Sequence, residues 1–332
     1  MWQINALVLS TSYKDFLSLV MIPTILSNFL AFIFFILSIA FFTLLERKVL
    51  GYAQLRKGPN KINFAGIPQP LADALKLFLK ERALPMHRNK IPYLAAPIFS
   101  LILVLLLWSL YISPFPIYFI RFGLLFFLAL SRISVYGTLI SGWASNSKYA
   151  LLGALRAVAQ TISYEVSIAL ILLTPIVLIS SLNLNDFSLP QTPVPLLIFL
   201  APFFVLWFIT TLAETNRAPF DFAEGESELV SGFNVEYRGT IFAFIFIAEY
   251  IRILLIRFLT ALLFWGTIIF RRTFLILTLW LKTALVAFFF LWARATLPRI
   301  RYDLLMKLTW KVFLPLILPA LCFLSALHPF LP

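Results

Sequence analysis

Long, uninterrupted apolar runs are the feature of this chain that most limits its fold. Eight runs of roughly 20 residues recur along the 332 residues, at 21–45, 93–112, 117–140, 153–181, 194–213, 239–260, 272–292 and 309–328. Helices of about 20 apolar residues cross a bilayer, whereas barrel strands are shorter and alternate in polarity. Backbone polar groups in lipid must also be bonded within the protein. The runs therefore predict an all-α integral membrane protein with about eight transmembrane helices.

Composition supports one polytopic membrane domain over 1–332. Hydrophobic types make up 61% of the residues and charged types 12%, whereas a soluble domain has about 45–50% apolar and roughly 25% charged residues. The net charge of +13 would suggest nucleic acid in a soluble protein, but 19 of the 27 basic residues lie in or beside the odd-to-even loops. Basic loops stay on the cytoplasmic or matrix side. We therefore expect no nucleic-acid partner.

The first predicted loop on that side, 46–92, contains a short amphipathic helix at 68–82. Its apolar face carries Leu71, Leu75, Phe78 and Leu79, and its polar face carries Asp73, Lys76 and Lys80. The segment is too short to span a bilayer. It either lies in the membrane interface or packs on the helical bundle as an ordinary loop helix.

Several ionisable residues fall inside or at the ends of the apolar runs. They are Glu46, Arg132, Arg156, Glu165, Glu214, Glu249, Arg252 and Lys282. Each charge at the bilayer centre costs at least ~2.5–3.5 kcal/mol. These groups must therefore pair with one another, line a hydrated cavity or, if acidic, be protonated. Ion pairing with a purely structural role is the alternative to a pathway.

The fourth run has polar residues on two opposite faces. Arg156, Gln160 and Ser163 share one face, while Thr161 and Glu165 occupy the other. A helix that is polar on two sides cannot turn either of them to lipid. We therefore expect protein to enclose the first half of this helix.

The loop at 214–238 is acidic in an otherwise basic chain. It holds six of the chain's 14 acidic residues, which are Glu214, Asp221, Glu224, Glu226, Glu228 and Glu236. Closely spaced, partly desolvated carboxyl groups have raised pKa values and can pass protons near neutral pH. The same loop could also bind a basic partner protein, and both roles can hold together.

Four segments resemble a known family. LLERKVLGYAQLRKGPN, with QPLADALKLFLKE after it, resembles the first loop of the subunit 1 family of NADH:ubiquinone oxidoreductase, respiratory complex I. GWASNSKYALLGALRAVAQTISYE resembles its third loop and fourth helix, and AETNRAPFDFAEGESELVSGFNVEYRG its acidic loop. WARATLPRIRYDLLMKLTWKVFLP resembles its last loop and helix. Roughly 100 residues, in the family's order, carry the resemblance.

The resemblance implies a core membrane subunit that forms part of a quinone-binding tunnel and couples quinone reduction to proton translocation. Ubiquinone is then the substrate, and flavin and iron–sulfur clusters lie in partner subunits. The single cysteine and two histidines agree with a chain that binds no redox cofactor. Implied partners are the peripheral quinone-site subunits, neighbouring membrane-arm subunits and membrane lipid. The expected location is the mitochondrial inner membrane, with a bacterial plasma membrane as the alternative.

The resemblance also implies site residues. The quinone-tunnel set is Arg47, Arg56, Asp73, Phe220, Phe222, Glu224, Arg294 and Arg299. The proton- and charge-relay set is Glu46, Tyr164, Glu165, Glu214, Arg217, Asp221, Glu226, Glu228 and Glu249. None is expected to be a covalent catalyst or a metal ligand. Arg238, Arg252 and Arg257 depart from the family pattern.

Two other functions remain open at this point. A secondary transporter could use the same acids to bind a proton or cation. A purely structural anchor, such as that of a related membrane hydrogenase-type complex, could use them as ion pairs.

Overall fold

The computed structural model of the chain describes residues 30, 33–62, 64–81, 84–111, 120–187, 190–191, 194–222, 225, 230–266 and 272–327. These residues are mainly helical, and no strand occurs among them. The helices in chain order are α1 (33–53), α2 (Gln69–Leu79), α3 (Lys90–Trp108), α4 (Gly123–Ala144), α5 (Lys148–Ile179), α6 (Leu196–Phe199), α7 (Ala201–Glu214), α8 (Thr240–Trp265), α9 (Arg272–Thr296), α10 (Tyr302–Leu308) and α11 (Leu314–Leu327). A π-helical turn, Thr309–Phe313, joins α10 to α11.

Five stretches of helix are long and apolar enough to cross a membrane. They are Lys90–Trp108, Gly123–Ala144, Lys148–Ile179, Thr278–Thr296 and Tyr302–Leu327. α7 is apolar but shorter. α1 and α8 each carry three charged residues, which are Glu46, Arg47 and Lys48 in α1 and Glu249, Arg252 and Arg257 in α8. The predicted class, an all-α membrane protein, is confirmed, and each of the eight predicted runs overlaps a described helix.

Two helices extend beyond their predicted ends. α1 continues to 53, so Glu46 lies inside the helix instead of closing it. α8 continues to Trp265 and ends at Gly266, whose φ of 57° suits a helix C-terminus. Lys282 of α9 donates to the carbonyl oxygens of Trp265 and Gly266 at 2.9 and 2.8 Å. Two carbonyls left unbonded at the end of α8 are thereby satisfied.

Arg257 lies inside α8 and contacts two neighbouring helices. It falls within the predicted run 239–260, and its side chain is buried. Its guanidinium stands 4.1 Å from the ring centre of Phe42 and 5.0 Å from that of Phe290. Aromatic faces attract cations. The rings of α1 and α9 therefore stabilise a positive charge inside the helical bundle.

The polar faces of α5 are largely buried, as predicted, although Arg156 is only half-buried. The buried polar side chains are Gln160, Thr161, Ser163, Glu165 and Ser167. A third face exposes only apolar side chains in the same region, which are Leu151, Leu155, Ile162, Val166 and Leu173. α5 packs against α4, α7 and α11, and its Gly153 lies against Gly232. A Cβ at Gly153 would approach the Gly232 Cα to 2.8 Å.

α2 lies beside α8 and falls within the predicted amphipathic segment. Its Leu71, Leu75, Phe78 and Leu79 are exposed, whereas Pro70 is buried. α2 and the charged halves of α1 and α8 together enclose the candidate site.

Candidate functional site

A buried carboxylate, Glu46, joins four separate parts of the chain. Its Oε1 accepts hydrogen bonds from Arg217, at 2.9 Å, and from Arg294. Its Oε2 accepts a hydrogen bond of 2.8 Å from the Tyr250 hydroxyl. Glu46 belongs to α1, Tyr250 to α8 and Arg294 to the last turn of α9, while Arg217 follows α7. We call these four residues the Glu46 cluster.

The electrostatics of the cluster favour its charged state. Burial alone would lower the pKa of Arg217, but attraction to the Glu46 carboxylate outweighs burial and raises that pKa above its ordinary value. The Arg217 guanidinium also stands 4.7 Å from the Tyr250 ring centre. Charge-assisted hydrogen bonds are stronger than neutral ones. The cluster therefore fixes α1, α8 and α9 relative to the loop after α7.

A second, more exposed contact ties α1 to α2. Arg47 donates to Asp73 Oδ2 at 2.6 Å, and Gln69 donates to Asp73 Oδ1 at 2.9 Å. Lys48 donates to the carbonyl oxygen of Ala65 at 2.5 Å, just before α2. These bonds orient α2 so that its polar side faces α1.

A cavity of about 940 Å³ lies between α1, α2 and α8. Its charged lining consists of five basic and three acidic residues, which are Arg47, Lys76, Lys80, Arg217 and Arg294 with Glu46, Asp73 and Glu249. The remaining lining is largely apolar and includes Ile36, Ile39, Leu77, Phe242, Phe246 and Ile247. Ligand pockets usually measure about 300–1,000 Å³ and combine apolar walls with a few polar groups. The cavity suits an amphiphilic ligand with a large apolar part.

A smaller cavity of about 40 Å³ adjoins the first. Its charged lining residues are Glu214, Glu249 and Arg252, and hydroxyl groups come from Ser100, Ser134, Thr138 and Ser141. A water molecule needs about 10–15 Å³ of such a cavity, so this one has room for about three or four water molecules. Glu214 Oε2 has no hydrogen-bond partner among the described residues. Buried oxygens of this kind are the usual partners of buried water.

The two cavities share one wall. Thr215, Asn216, Phe233 and Glu249 line both of them. Phe233 belongs to the 3₁₀ turn Gly232–Asn234, and its side chain is buried. Glu249 is thus the ionisable residue that borders both spaces in the described part of the chain.

A buried amide clamps the start of the acidic loop onto α5. Gln160 Nε2 donates to the carbonyl oxygens of Ala213 and Phe220 at 3.0 and 2.9 Å. The Phe220 ring centre lies 6.1 Å from that of Tyr164, and the Phe222 ring lies edge-on to Tyr302 at 5.9 Å. This packing fixes the backbone on both sides of Arg217.

The predicted site residues fall into separate groups. Six line the large cavity, which are Glu46, Arg47, Asp73, Arg217, Glu249 and Arg294, and Glu214 lines the small one with Glu249. Phe220, Phe222, Tyr164 and Glu165 are buried and line neither. Arg56 lies exposed on the turn after α1. Arg299 is exposed and donates to the carbonyl oxygen of Asp221. Glu224, Glu226 and Glu228 lie outside the described residues.

Four residues at the site were not predicted as functional. The Gln160 amide holds the loop beside the site, Asn216 and Phe233 line both cavities, and Arg252 lines the small one. The polar face of the fourth run already marked Gln160. Phe233 carries no signal in its sequence, because its role depends on which helices meet around the turn.

Comparisons with known proteins identify the family. Residues 26–325 match the family described as NADH dehydrogenase. The chain is 50% identical over 308 residues to NADH-ubiquinone oxidoreductase chain 1 of Aedes aegypti, covering 93% of this chain and 97% of the mosquito protein. It is 55% identical over 285 residues to the protein of that name from Thymallus arcticus, covering 85% and 88%. The protein of that name from Emballonura alecto is 52% identical over 291 residues, which cover 86% of this chain and 91% of that protein. The chain therefore belongs to the family of NADH-ubiquinone oxidoreductase chain 1.

Proposed function

We propose that this chain, a core membrane subunit of NADH:ubiquinone oxidoreductase, forms the membrane part of the quinone-binding tunnel and starts an acidic relay towards the proton-pumping subunits. One observation carries the proposal. The large cavity has an apolar side and a charged side, and its Glu249 also borders the small acidic cavity. A ligand in the first space can thereby influence a proton in the second.

The large cavity matches the chemistry of ubiquinone. An isoprenoid tail needs apolar walls, and a quinone ring needs polar groups for its carbonyl oxygens. Leu71, Leu75 and Leu79 of α2 are exposed, while the polar side of α2 faces the cavity. An interfacial position of α2, with its leucines in lipid, would let quinone pass beneath it from the membrane.

Positive charge in the cavity favours the reduced ligand. The lining carries two more basic than acidic residues. Reduction adds negative charge to the quinone until protons arrive, and fixed cations stabilise such charge. Arg47 and Arg294 line the cavity and can stabilise a reduced quinone directly. Arg56 and Arg299 lie exposed beside the loops. We assign these two to the part of the tunnel that faces the peripheral subunits.

The relay begins at Glu249. A change of charge in the large cavity alters the proton affinity of this carboxyl group, because like charges oppose ionisation. Glu214 borders the same small cavity, and buried water there would join the two carboxyl groups. Glu165, on the neighbouring α5, has a carboxyl oxygen without a hydrogen-bond partner among the described residues and continues the path. We place Tyr164, Asp221, Glu224, Glu226 and Glu228 on the side of the path that meets the loop.

Electrons reach the quinone through flavin and iron–sulfur clusters of partner subunits. The chain's own residues bind and orient the quinone and move protons. The relatives come from animals, whose respiratory complexes lie in the mitochondrial inner membrane, and we place this chain there as a multi-pass protein. The basic loops then face the matrix.

The test uses assembled complex with Glu249→Gln or Glu214→Gln, and Asp303→Asn as the matched control. Asp303 is an exposed acid that pairs only with Arg301 among the described residues. NADH:ubiquinone reductase activity and protons pumped per electron are measured. We expect either relay variant to lower proton-coupled turnover about tenfold or more, because positioned proton donors contribute about 10²–10⁴-fold. The control should leave both readouts unchanged.

Three results would contradict the proposal. Unchanged activity and pumping in both glutamine variants would remove the relay. Loss of assembly with normal activity in the surviving complex would favour a structural anchor. Solute flux through the reconstituted chain alone would favour a transporter.

A further inference from the structure

An arginine is exposed halfway along a membrane-spanning helix. Arg132 is the tenth of the 22 residues of α4, and its side chain is exposed on the outside of the chain. No carboxylate forms a salt bridge with it among the described residues, and no described acceptor takes a hydrogen bond from it. A guanidinium in hydrocarbon is among the costliest placements in a membrane protein. The surface of α4 around Arg132 therefore needs an acceptor for the guanidinium.

Arg132 cannot reach water by bending towards a membrane surface. At 1.5 Å per residue, Gly123 lies about 14 Å and Ala144 about 18 Å along the helix axis. Both distances exceed the length of an arginine side chain. Lipid phosphates lie at the edges of a hydrocarbon core about 30 Å thick, so they stand equally far away.

Glu165 does not complete this site. Its charge attracts those of Arg132 and Arg252, and Glu214 repels it. Glu165 attracts Arg132 more than Arg252, but it is buried and forms no salt bridge with the exposed Arg132 in the described part of the chain. A second acceptor at mid-membrane depth is needed outside the chain.

The surroundings of Arg132 are shaped for a helix. Exposed apolar or aromatic side chains share its side of α4, which are Leu125, Ile133 and Tyr136, and the adjacent α5 also exposes Ile162 and Val166. We call these five residues, with Arg132, the Arg132 face. An apolar face with one central charge matches a partner helix with one central charge of opposite sign.

We propose that a membrane-spanning helix of another subunit covers the Arg132 face and brings an aspartate or glutamate carboxylate to Arg132. Guanidinium and carboxylate form two parallel, charge-assisted hydrogen bonds, and each group neutralises the charge of the other in a dry interface. Ionisable residues within membranes usually pair in this way. The contact concerns assembly of the membrane arm and does not depend on the proposed relay.

Cross-linking in purified, assembled complex tests the occupant. A photoreactive phenylalanine analogue replaces Tyr136, one helical turn from Arg132, and Arg132 itself stays unchanged. The expected product joins position 136 to a membrane-spanning peptide of another subunit that has Asp or Glu within about one turn of the linked residue. Adducts with lipid alone, or with a helix lacking such an acid, would overturn the proposal.

Charge variants test the ion pair itself. Arg132→Gln should lower recovery of assembled complex at least about tenfold, because it leaves the partner's carboxylate unpaired in the membrane. Arg132→Lys should retain most of the recovery of assembled complex, because lysine keeps the positive charge. Arg121→Gln is the matched control, since Arg121 is exposed just before α4 begins. Equal recovery of the Arg132→Gln and Arg121→Gln complexes would refute the pairing.

A charge swap tests whether the two groups contact each other directly. Arg132→Glu is combined with replacement of the cross-linked acid by arginine. The double variant should recover at least about tenfold more assembled complex than either single variant, because the pair is restored with its signs exchanged. A double variant no better than the singles would show that the two groups do not meet.

Discussion

Replacing Glu46 by glutamine should damage the protein far more than removing the nearby Asp73. Glu46→Gln keeps the size of the side chain but exchanges one acceptor oxygen for an NH₂ group. That group would face the arginine donors or the Tyr250 hydroxyl, and the charge that balances Arg217 and Arg294 would be lost. Asp73→Asn removes a charge from a pair that links the same region of α1 to α2.

The structure sets the relative size of the two effects. Glu46 is 5% exposed, and loss of one partner from a buried ion pair costs ~3–5 kcal/mol. The side chains of Arg217 and Arg294 are 20% and 35% exposed, so water recovers part of the loss and we expect about 2–4 kcal/mol. The Arg47 and Asp73 side chains are 55% and 36% exposed. Pairs this exposed contribute only ~0.2–1 kcal/mol.

Thermal dissociation of the assembled complex measures the difference. All variants are heated at one rate, because a multi-subunit complex does not unfold in one reversible step. Glu46→Gln should lower the dissociation temperature by several degrees more than Asp73→Asn. Adding Arg217→Gln to Glu46→Gln should cost less than the sum of the single changes, since both remove the same contact. Equal effects of the two acid variants, or strict additivity, would refute the reasoning.

Three further predictions concern residues around the cavities. Gln160→Leu removes the amide bonds to two buried carbonyls and should cost about 2–4 kcal/mol, seen as faster proteolysis of the 214–238 loop than in unmodified complex. Phe233→Ala should join the two cavities and lower the protons pumped per electron while NADH oxidation continues, whereas Phe242→Ala, which borders only the large cavity, should leave that ratio unchanged. Lys282→Met leaves two carbonyls at the end of α8 unbonded and should destabilise the protein by about 1–3 kcal/mol, seen as a lower dissociation temperature of the complex; no change would show that the cap is dispensable.

Membrane class and much of the helix layout were predictable, because lipid imposes its demand on each run separately. A run of about 20 apolar residues predicts a membrane-spanning helix whatever the rest of the chain contains. The enclosure of α5 was predictable for a related reason. Two polar faces on one helix exclude lipid contact whatever the partners are, and Gln160 and Glu165 are indeed buried.

The contacts of the site could not be predicted from the sequence. Glu46 lies 171 residues from Arg217, 204 from Tyr250 and 248 from Arg294. No local pattern says which distant cation meets which acid. The surroundings of Arg257 could not be predicted either, because the rings of Phe42 and Phe290 beside it belong to α1 and α9.

The charges that make α1 and α8 poor spans alone are the charges that build the site. Three charged residues on one helix would be costly in lipid, but α1 and α8 face each other across the large cavity and share the Glu46 cluster. Each helix therefore stabilises the other in the membrane. It follows that the cavity's geometry and the stability of the bundle depend on the same bonds. Changes at Glu46 should lower both together, whereas changes at Glu249, which borders the open cavities, should lower turnover while assembly persists.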